Sequence, residues 1–212
     1  GLFATPFRGE AMSRPFALIS ILWLLFADPA AAQTHEWSFV AGSTSDSGCV
    51  FSWDPFNETW TIGDEFSLLP GGNYPYDAVM HPLKDEIWVV GASGDAVVIV
   101  DPEVGDVTAT IPVGEYPVSL AFNVADGIAL VSCRDSDRLD IIDINEYEVI
   151  GSLPISVSGL GPGNLIFDPR GDRFFLVEWY GEMVFTIEPD GSAIRDQASV
   201  GSDLWQLVID PN

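Results

Sequence analysis

Beyond residue 36 the chain is a succession of short apolar runs, among them Trp37-Ser38-Phe39-Val40, Ile87-Trp88-Val89-Val90, Ala129-Leu130-Val131-Ser132 and Phe174-Phe175-Leu176-Val177. They are rich in β-branched and aromatic residues. Gly, Pro and Asp break them at intervals of roughly 8–12 residues, which is how strands joined by tight turns read. No stretch in this part keeps apolar residues at the helical period over three turns, so the pattern predicts strands and no helices.

The runs repeat. Four segments align, Pro75–His81, Pro117–Asn123, Pro162–Asp168 and Leu204–Asp210, spaced 42, 45 and 42 residues apart. A turn follows, as at Pro82-Leu83-Lys84-Asp85 or Pro169-Arg170-Gly171-Asp172, and then an apolar run. A third run ends in an acid, at Asp54, Asp101, Asp143 and Glu188, and a fourth closes the unit, as from Val107 to Gly114. Four strands in a unit of this length are the signature of a β-propeller blade. HEAT and armadillo repeats are of similar length but helical. A two-sheet sandwich would hold as many strands but gives no reason for the repeat. The expected fold is therefore all-β, a β-propeller with four-stranded antiparallel blades, the strands labelled a to d from the centre outward. The units run b-c-d-a, approximately over residues 37–81, 87–123, 129–168 and 174–210. A chain that enters on strand b takes its missing inner strand from its own far end when the ring closes. About seven blades, of which these four repeat units are a part, are favoured over a four-bladed ring closed by residues 205–210.

The stretch from Tyr116 to Ile155, YPVSLAFNVADGIALVSCRDSDRLDIIDI…VIGSLPI, resembles the YVTN-type β-propeller repeat of exported bacterial and archaeal proteins. The resemblance extends over about residues 37–212. It implies a propeller, commonly of seven blades, outside the cytoplasm, and it implies no single activity. The chain departs from the family in the strand that names it, at Trp88-Val89-Val90-Gly91, Leu130-Val131-Ser132-Cys133 and Leu176-Val177-Glu178-Trp179. That strand is structural, so the departures bear on the subfamily and not on the fold.

The N-terminal part follows another rule. Met12-Ser13-Arg14, an apolar run from Phe16 to Phe26 and Ala30-Ala31-Ala32 describe a secretory signal peptide over residues 12–32, cut before Gln33. The run is well short of the roughly 20 residues a membrane-spanning helix needs. Residues 1–11 read as an upstream or non-native extension, residues 33–212 as the propeller. The expected location is periplasmic or secreted, with no membrane span after cleavage.

Composition narrows the partners. The 212 residues carry 32 Asp and Glu against 8 Lys and Arg, a net charge of −24, which disfavours nucleic acid, whose binding needs clustered cations. Such a surface repels anions and keeps a protein soluble. At 47% hydrophobic and 12% aromatic the chain is no disordered acidic tail.

Few residues offer chemistry. His81 aligns with Asn123, Asp168 and Asp210 at the a-to-b turn, where such side chains bond the local backbone, so it reads as a turn residue. A Ser-His-Asp triad then lacks a base, and zinc lacks its His and Cys cluster. Pro70-Gly71-Gly72-Asn73 matches neither a P-loop nor a dinucleotide fingerprint. Asp135, Asp137 and Asp140 lack the turn glycine of a calcium loop. No catalytic residue, metal or cofactor is expected. Cys49 and Cys133 fall in blades that are not neighbours and read as buried free thiols. The recurrent acids Asp54, Asp101, Asp143 and Glu188 are expected to cap the c-to-d turns.

Binding residues are easier to nominate. Asp77, Ser119, Asn164 and Gln206 occupy one position in four successive inner strands, so they are expected at the channel mouth, either lining a ligand site or bonding the strand ends. Trp179 and Tyr180 stand in a b-to-c loop where other units carry Ala92-Ser93 and Arg134-Asp135, and are candidates to anchor a partner. The favoured reading is an exported, noncatalytic propeller scaffold that binds a small ligand or protein partner at its channel face. Two alternatives stand beside it: a lactonase-like or cofactor-dependent oxidoreductase propeller whose catalytic residues lie partly elsewhere, and a repeat module of a larger surface protein.

Overall fold

A computed structural model describes residues 36–42, 44–54, 58–155, 161–202 and 204–209. The expected leader at 12–32 and the extension at 1–11 lie outside the described residues, as does Asp210. The described chain is all-β, four four-stranded antiparallel sheets, with a single three-residue 3-10 turn at Arg134–Ser136.

The first sheet holds β1 (Glu36–Gly42), β2 (Ser47–Asp54), β3 (Thr59–Ile62) and β4 (Phe66–Ser67), with β3 and β4 both pairing β2 as a divided outer strand. The second is β5 (Pro75–Met80), β6 (Ile87–Gly91), β7 (Ala96–Asp101) and β8 (Asp106–Pro112), paired in chain order. β9 (Pro117–Asn123), β10 (Ile128–Cys133), β11 (Arg138–Asp143) and β12 (Glu148–Pro154) form the third. β13 (Pro162–Asp168), β14 (Arg173–Glu178), β15 (Met183–Ile187) and β16 (Ile194–Ser199) form the fourth. The inner strands lie side by side, β5 against β9 and β9 against β13, so the sheets are successive blades.

The doubly apolar runs have a physical reason in this stacking. A strand sends alternate side chains to opposite faces, and a blade has a neighbour on each. In β6, Ile87 and Val89 pack into the interface with the first blade, whereas Trp88 and Val90 pack into the interface with the third. β7 divides likewise, Val98 and Val100 one way, Val97 and Ile99 the other. In β10, Ala129 and Val131 face the second blade while Leu130 faces Leu165, Phe174 and Phe185 of the fourth. Outer strands have less to cover. β8 alternates between exposed and half-buried along most of its length, and β16 is exposed throughout. Burying each large side chain of the inner strands is worth about 1.5–3 kcal/mol, so the blade interfaces hold most of the fold's stability.

One expected strand is absent. Residues 204–209, aligned in sequence with β5, β9 and β13, adopt no regular strand. β5 becomes a strand by laddering with β6, and residues 204–209 have no such ladder among the described residues. They meet the fourth blade through the Leu207 N–H, which donates to Asn164 Oδ1 at 2.9 Å, and through the Trp205 ring.

The acid caps are mixed. Asp101 Oδ1 accepts the N–H groups of Glu103 and Val104, at 2.8 and 3.3 Å, and Asp143 Oδ1 those of Asn145 and Glu146, at 2.8 and 3.1 Å. Glu188 instead forms a two-pronged pair with Arg195, and Asp190 caps that turn through the Ser192 N–H at 2.9 Å. A glutamate followed seven residues later by arginine on the neighbouring strand finds a stronger partner than a backbone amide. Asp54 borders residues outside the described set.

Candidate functional site at the channel mouth

The d-to-a and b-to-c turns meet at one end of the blades. The Tyr74 N–H donates to Asp46 Oδ1 of the preceding blade at 2.7 Å, while its carbonyl accepts the Ala92 N–H of its own blade at 3.1 Å. Tyr116 repeats the arrangement with Asp95, at 3.0 Å, and with the Arg134 N–H, also at 3.0 Å. Holding these bonds puts both tyrosines in the left-handed region, each at φ 51°. For a bulky side chain that conformation costs about 1–3 kcal/mol and persists only where surroundings enforce it. The fourth blade uses Gly161 at this position, where a Cβ would lie 2.2 Å from the Arg134 carbonyl oxygen.

Asp46, Asp95 and Asp137 close the first three b-to-c turns, all with φ near 50°, a conformation aspartate tolerates. The fourth turn, Trp179-Tyr180-Gly181-Glu182, is built differently. Tyr180 takes the left-handed conformation, and the buried Glu178 carboxylate accepts the N–H groups of Glu182 and Met183 at 3.0 and 3.1 Å. Gly181 lies so close to this carboxylate that a Cβ would sit 2.1 Å from Glu178 Oε2. The rebuilt turn presents two aromatics at this end of the blades.

Those two gather others. Trp179 packs on Tyr76 of β5 with ring centroids 5.3 Å apart, joining the second and fourth blades past the third. Trp205 lies 5.2 Å from Trp179 and 4.8 Å from Tyr180, and Tyr74 lies 6.5 Å from Tyr76. The Arg134 guanidinium sits 3.7 Å over the Tyr116 ring and 5.8 Å from the centre of the Trp179 ring, gripped by Asp135 through bonds of 2.7 and 3.3 Å. Tyr180 and Trp205 stay largely exposed, at 44% and 54%. Burial, with help from Tyr116 and Tyr74, pushes the Tyr76 hydroxyl up to about 12, so it stays a neutral donor at physiological pH.

Asp77, Ser119 and Asn164 come together as a chain. Ser119 Oγ donates to Asp77 Oδ2 at 3.0 Å and accepts Asn164 Nδ2 at 3.3 Å. Each member also accepts the N–H one residue beyond the aligned position in the next unit: Leu120 on Asp77, Leu165 on Ser119 and Leu207 on Asn164. The row therefore laces inner strands together. Desolvation raises the Asp77 pKa above the usual carboxylate value, against the lowering effect of its hydrogen bonds to Ser119, Leu120 and Ala78. Gln206 is exposed on the irregular segment and is not part of this chain. Tyr76, Tyr116, Arg134 and Trp205 escape sequence reasoning, because Tyr76, Arg134 and Trp205 meet the fourth blade's Trp179 from other parts of the chain, and Tyr116 meets Arg134 only through the folding of two separate turns. The one available signal was the Pro-preceding tyrosine at 74–75 and 116–117.

At the opposite end His81 behaves as its alignment implies. Its Nδ1 accepts the N–H groups of Leu83 and Lys84 at 3.1 and 3.0 Å, the role Asn123 Oδ1 plays for Ala125 and Asp168 Oδ1 for Arg170. Both cysteines are free. Cys133 is buried and pushed up to about 12 by desolvation, whereas Cys49 is only half-buried. A cleft of about 310 Å³ between the first two blades, lined by Thr61, Asp64, Phe66, Glu103 and Val104, lies away from the mouth. Among the described residues no group of three or more His, Cys, Asp or Glu is placed to hold a metal ion, and no helix is long and apolar enough to cross a membrane.

No family model matches the sequence, and no curated protein matches it. Solved structures do. Virginiamycin B lyase from Staphylococcus aureus superposes with a TM-score of 0.62 at 15% identity, over 78% of this chain and 53% of that one. Hydrazine synthase from Kuenenia stuttgartiensis gives a TM-score of 0.55 at 19% identity, over 62% of this chain and 37% of that one. The chain thus spans about half or less of these neighbours, and the shared feature is the β-propeller fold.

Proposed function

We propose that this protein is an exported β-propeller scaffold that binds a small ligand at the end of the blades where the d-to-a and b-to-c turns meet, without transforming it. The observation that carries this reading is the convergence of Tyr76, Arg134, Trp179 and Tyr180 from three blades, and of Trp205 from the irregular segment, beside turns in which Tyr74, Tyr116 and Tyr180 hold a left-handed conformation. Strain held by surrounding bonds is a mark of ligand clamps, and rigid aromatics with an arginine are what binding faces use as anchors. Asp77, Ser119 and Asn164 lace together the inner strands that carry this cluster. They fix the spacing of the inner strands, so substituting them is expected to weaken binding by shifting the rim.

Calorimetric screening of a small-molecule panel against wild type, Trp179→Ala and Tyr180→Ala tests the reading. Any ligand found is expected to bind both variants at least tenfold more weakly. A ligand whose affinity ignores both substitutions refutes the rim and directs attention to the cleft beside Phe66 and Glu103. Turnover of a bound compound by the wild-type protein would replace the scaffold reading with an enzyme.

A further inference from the structure

The rim already contains one recognition event. The Arg134 guanidinium lies over the face of Tyr116 and near that of Trp179, with Asp135 as its counter-ion. An aromatic face attracts a cation through its quadrupole, and does so best where the cation sheds water easily. Two further rings of the cluster, Tyr180 and Trp205, stand nearly at right angles, 73° apart, and remain exposed. They offer a face and an edge that no charged group of the described chain covers.

Electrostatics selects the sign of the ligand. Asp135 neutralises Arg134, and Arg138 is bound to the buried Asp140 at 2.7 Å. Asp95, Glu115, Asp137 and Glu182 on the same turns then leave the mouth negative, in a chain of net charge −24. An anion would meet repulsion from the mouth and the whole molecule. A strongly hydrated inorganic cation gains little from ring faces, and no ligating cluster exists here among the described residues.

We infer that the rim selects a small organic cation with a weakly hydrated head, a quaternary ammonium or an alkylated guanidinium, which stacks on Trp205 and Tyr180 beside the Arg134–Asp135 pair. This rests on the rim being the binding site and names the ligand class that the rim takes. Tyr74, Tyr76 and Trp179 hold the cage walls, and the acids of the neighbouring turns supply long-range attraction.

The test compares choline with 3,3-dimethylbutan-1-ol, which has the same shape without the charge, and with glucose as a polar neutral control, by calorimetry on the full chain. Choline is expected to bind at least fivefold more tightly than the neutral isostere. Its affinity should fall as salt rises from 20 to 300 mM, as screening of the surrounding acids requires. Trp205→Ala, on the irregular segment outside the four sheets, is expected to lose the choline signal with an unchanged circular-dichroism spectrum, and Trp205→Phe to retain part of it. Equal binding of choline and its isostere, both lost in Trp205→Ala, would overturn the cation assignment while leaving the rim in place. Choline binding untouched by Trp205→Ala and Tyr180→Ala would overturn both. Absence of choline binding in the millimolar range would overturn the cation assignment.

Discussion

The two ends of the blades are made from the same repeat, yet they use it differently. At the end carrying the a-to-b and c-to-d turns, most positions solve one problem in one way, Glu188 with its Arg195 pair being the exception. His81, Asn123 and Asp168 each accept the local backbone amide, and Asp101 and Asp143 do the same one turn over. At the mouth the device of Asp46 and Asp95 gives way in the fourth blade to a turn built on Glu178 and Gly181 that displays Trp179 and Tyr180. Where a repeat is kept, the residue serves the fold. Where the break displays exposed aromatics, as at Tyr180, a role beyond folding is the reading to test.

The comparison can be broken most forcibly at the second and third blades' interface. Trp88 is fully buried, packs on Phe122 at 5.1 Å and donates its indole N–H to Glu86 at 3.1 Å. Trp88→Ala is expected to cost about 3–5 kcal/mol, read as a shift in the denaturation midpoint. If instead it left the midpoint in place, the blade interfaces would not be the source of stability.

Asp140 comes next. It is buried, paired with Arg138, and accepts the Gly114 N–H at 2.7 Å. Asp140→Ala strands that amide and frees the arginine, an expected loss of about 1–3 kcal/mol. Smaller again is Asp101→Ala, which removes two local bonds on the turn end at about 1 kcal/mol and is expected to leave choline affinity unchanged. A variant that kept its melting temperature but lost binding would reverse the roles assigned to the two ends.

Acid titration separates the ends by sign. Asp143, held low by the Asn145 and Glu146 amides, and Glu188, held low by Arg195, add stability above their ordinary carboxylate pKa values that is lost as pH falls through their folded ones. Asp77, raised by desolvation, works in reverse. Its contribution is complete below its ordinary pKa and is lost as pH rises through the folded value. Asp77→Asn should therefore flatten the rising-pH limb of the stability profile, and Asp143→Asn the falling-pH limb. Identical effects of the two substitutions would contradict their opposite environments.

Much of the fold is legible from residue order, because the second and third blades are covered on both faces and the central runs β6, β7 and β10 are therefore apolar on both sides. Trp88 and Val89 are both core, facing different neighbours. The turn role of His81 was legible from alignment with Asn123 and Asp168. What escapes is anything decided between blades. Alignment places Asp77, Ser119 and Asn164 at equal heights but does not reveal that each accepts the amide beside the next. Tyr76 and Trp179 lie 103 positions apart in blades that are not consecutive, so no local pattern joins them. Glu188 defeats the acid-cap rule because Arg195 lies across the ladder, and residues 204–209 fail as a strand because strand character comes from a partner and not from composition.

The most direct test of the division of labour is a hydrogen-exchange footprint of the intact protein with and without saturating choline. The account predicts slowed exchange at the turns around Tyr74–Tyr76, Arg134–Asp137, Trp179–Glu182 and Trp205, with the turns at His81–Lys84 and Asp101–Val104 unchanged. Protection confined to the latter pair, with the aromatic rim exchanging as before, would contradict it.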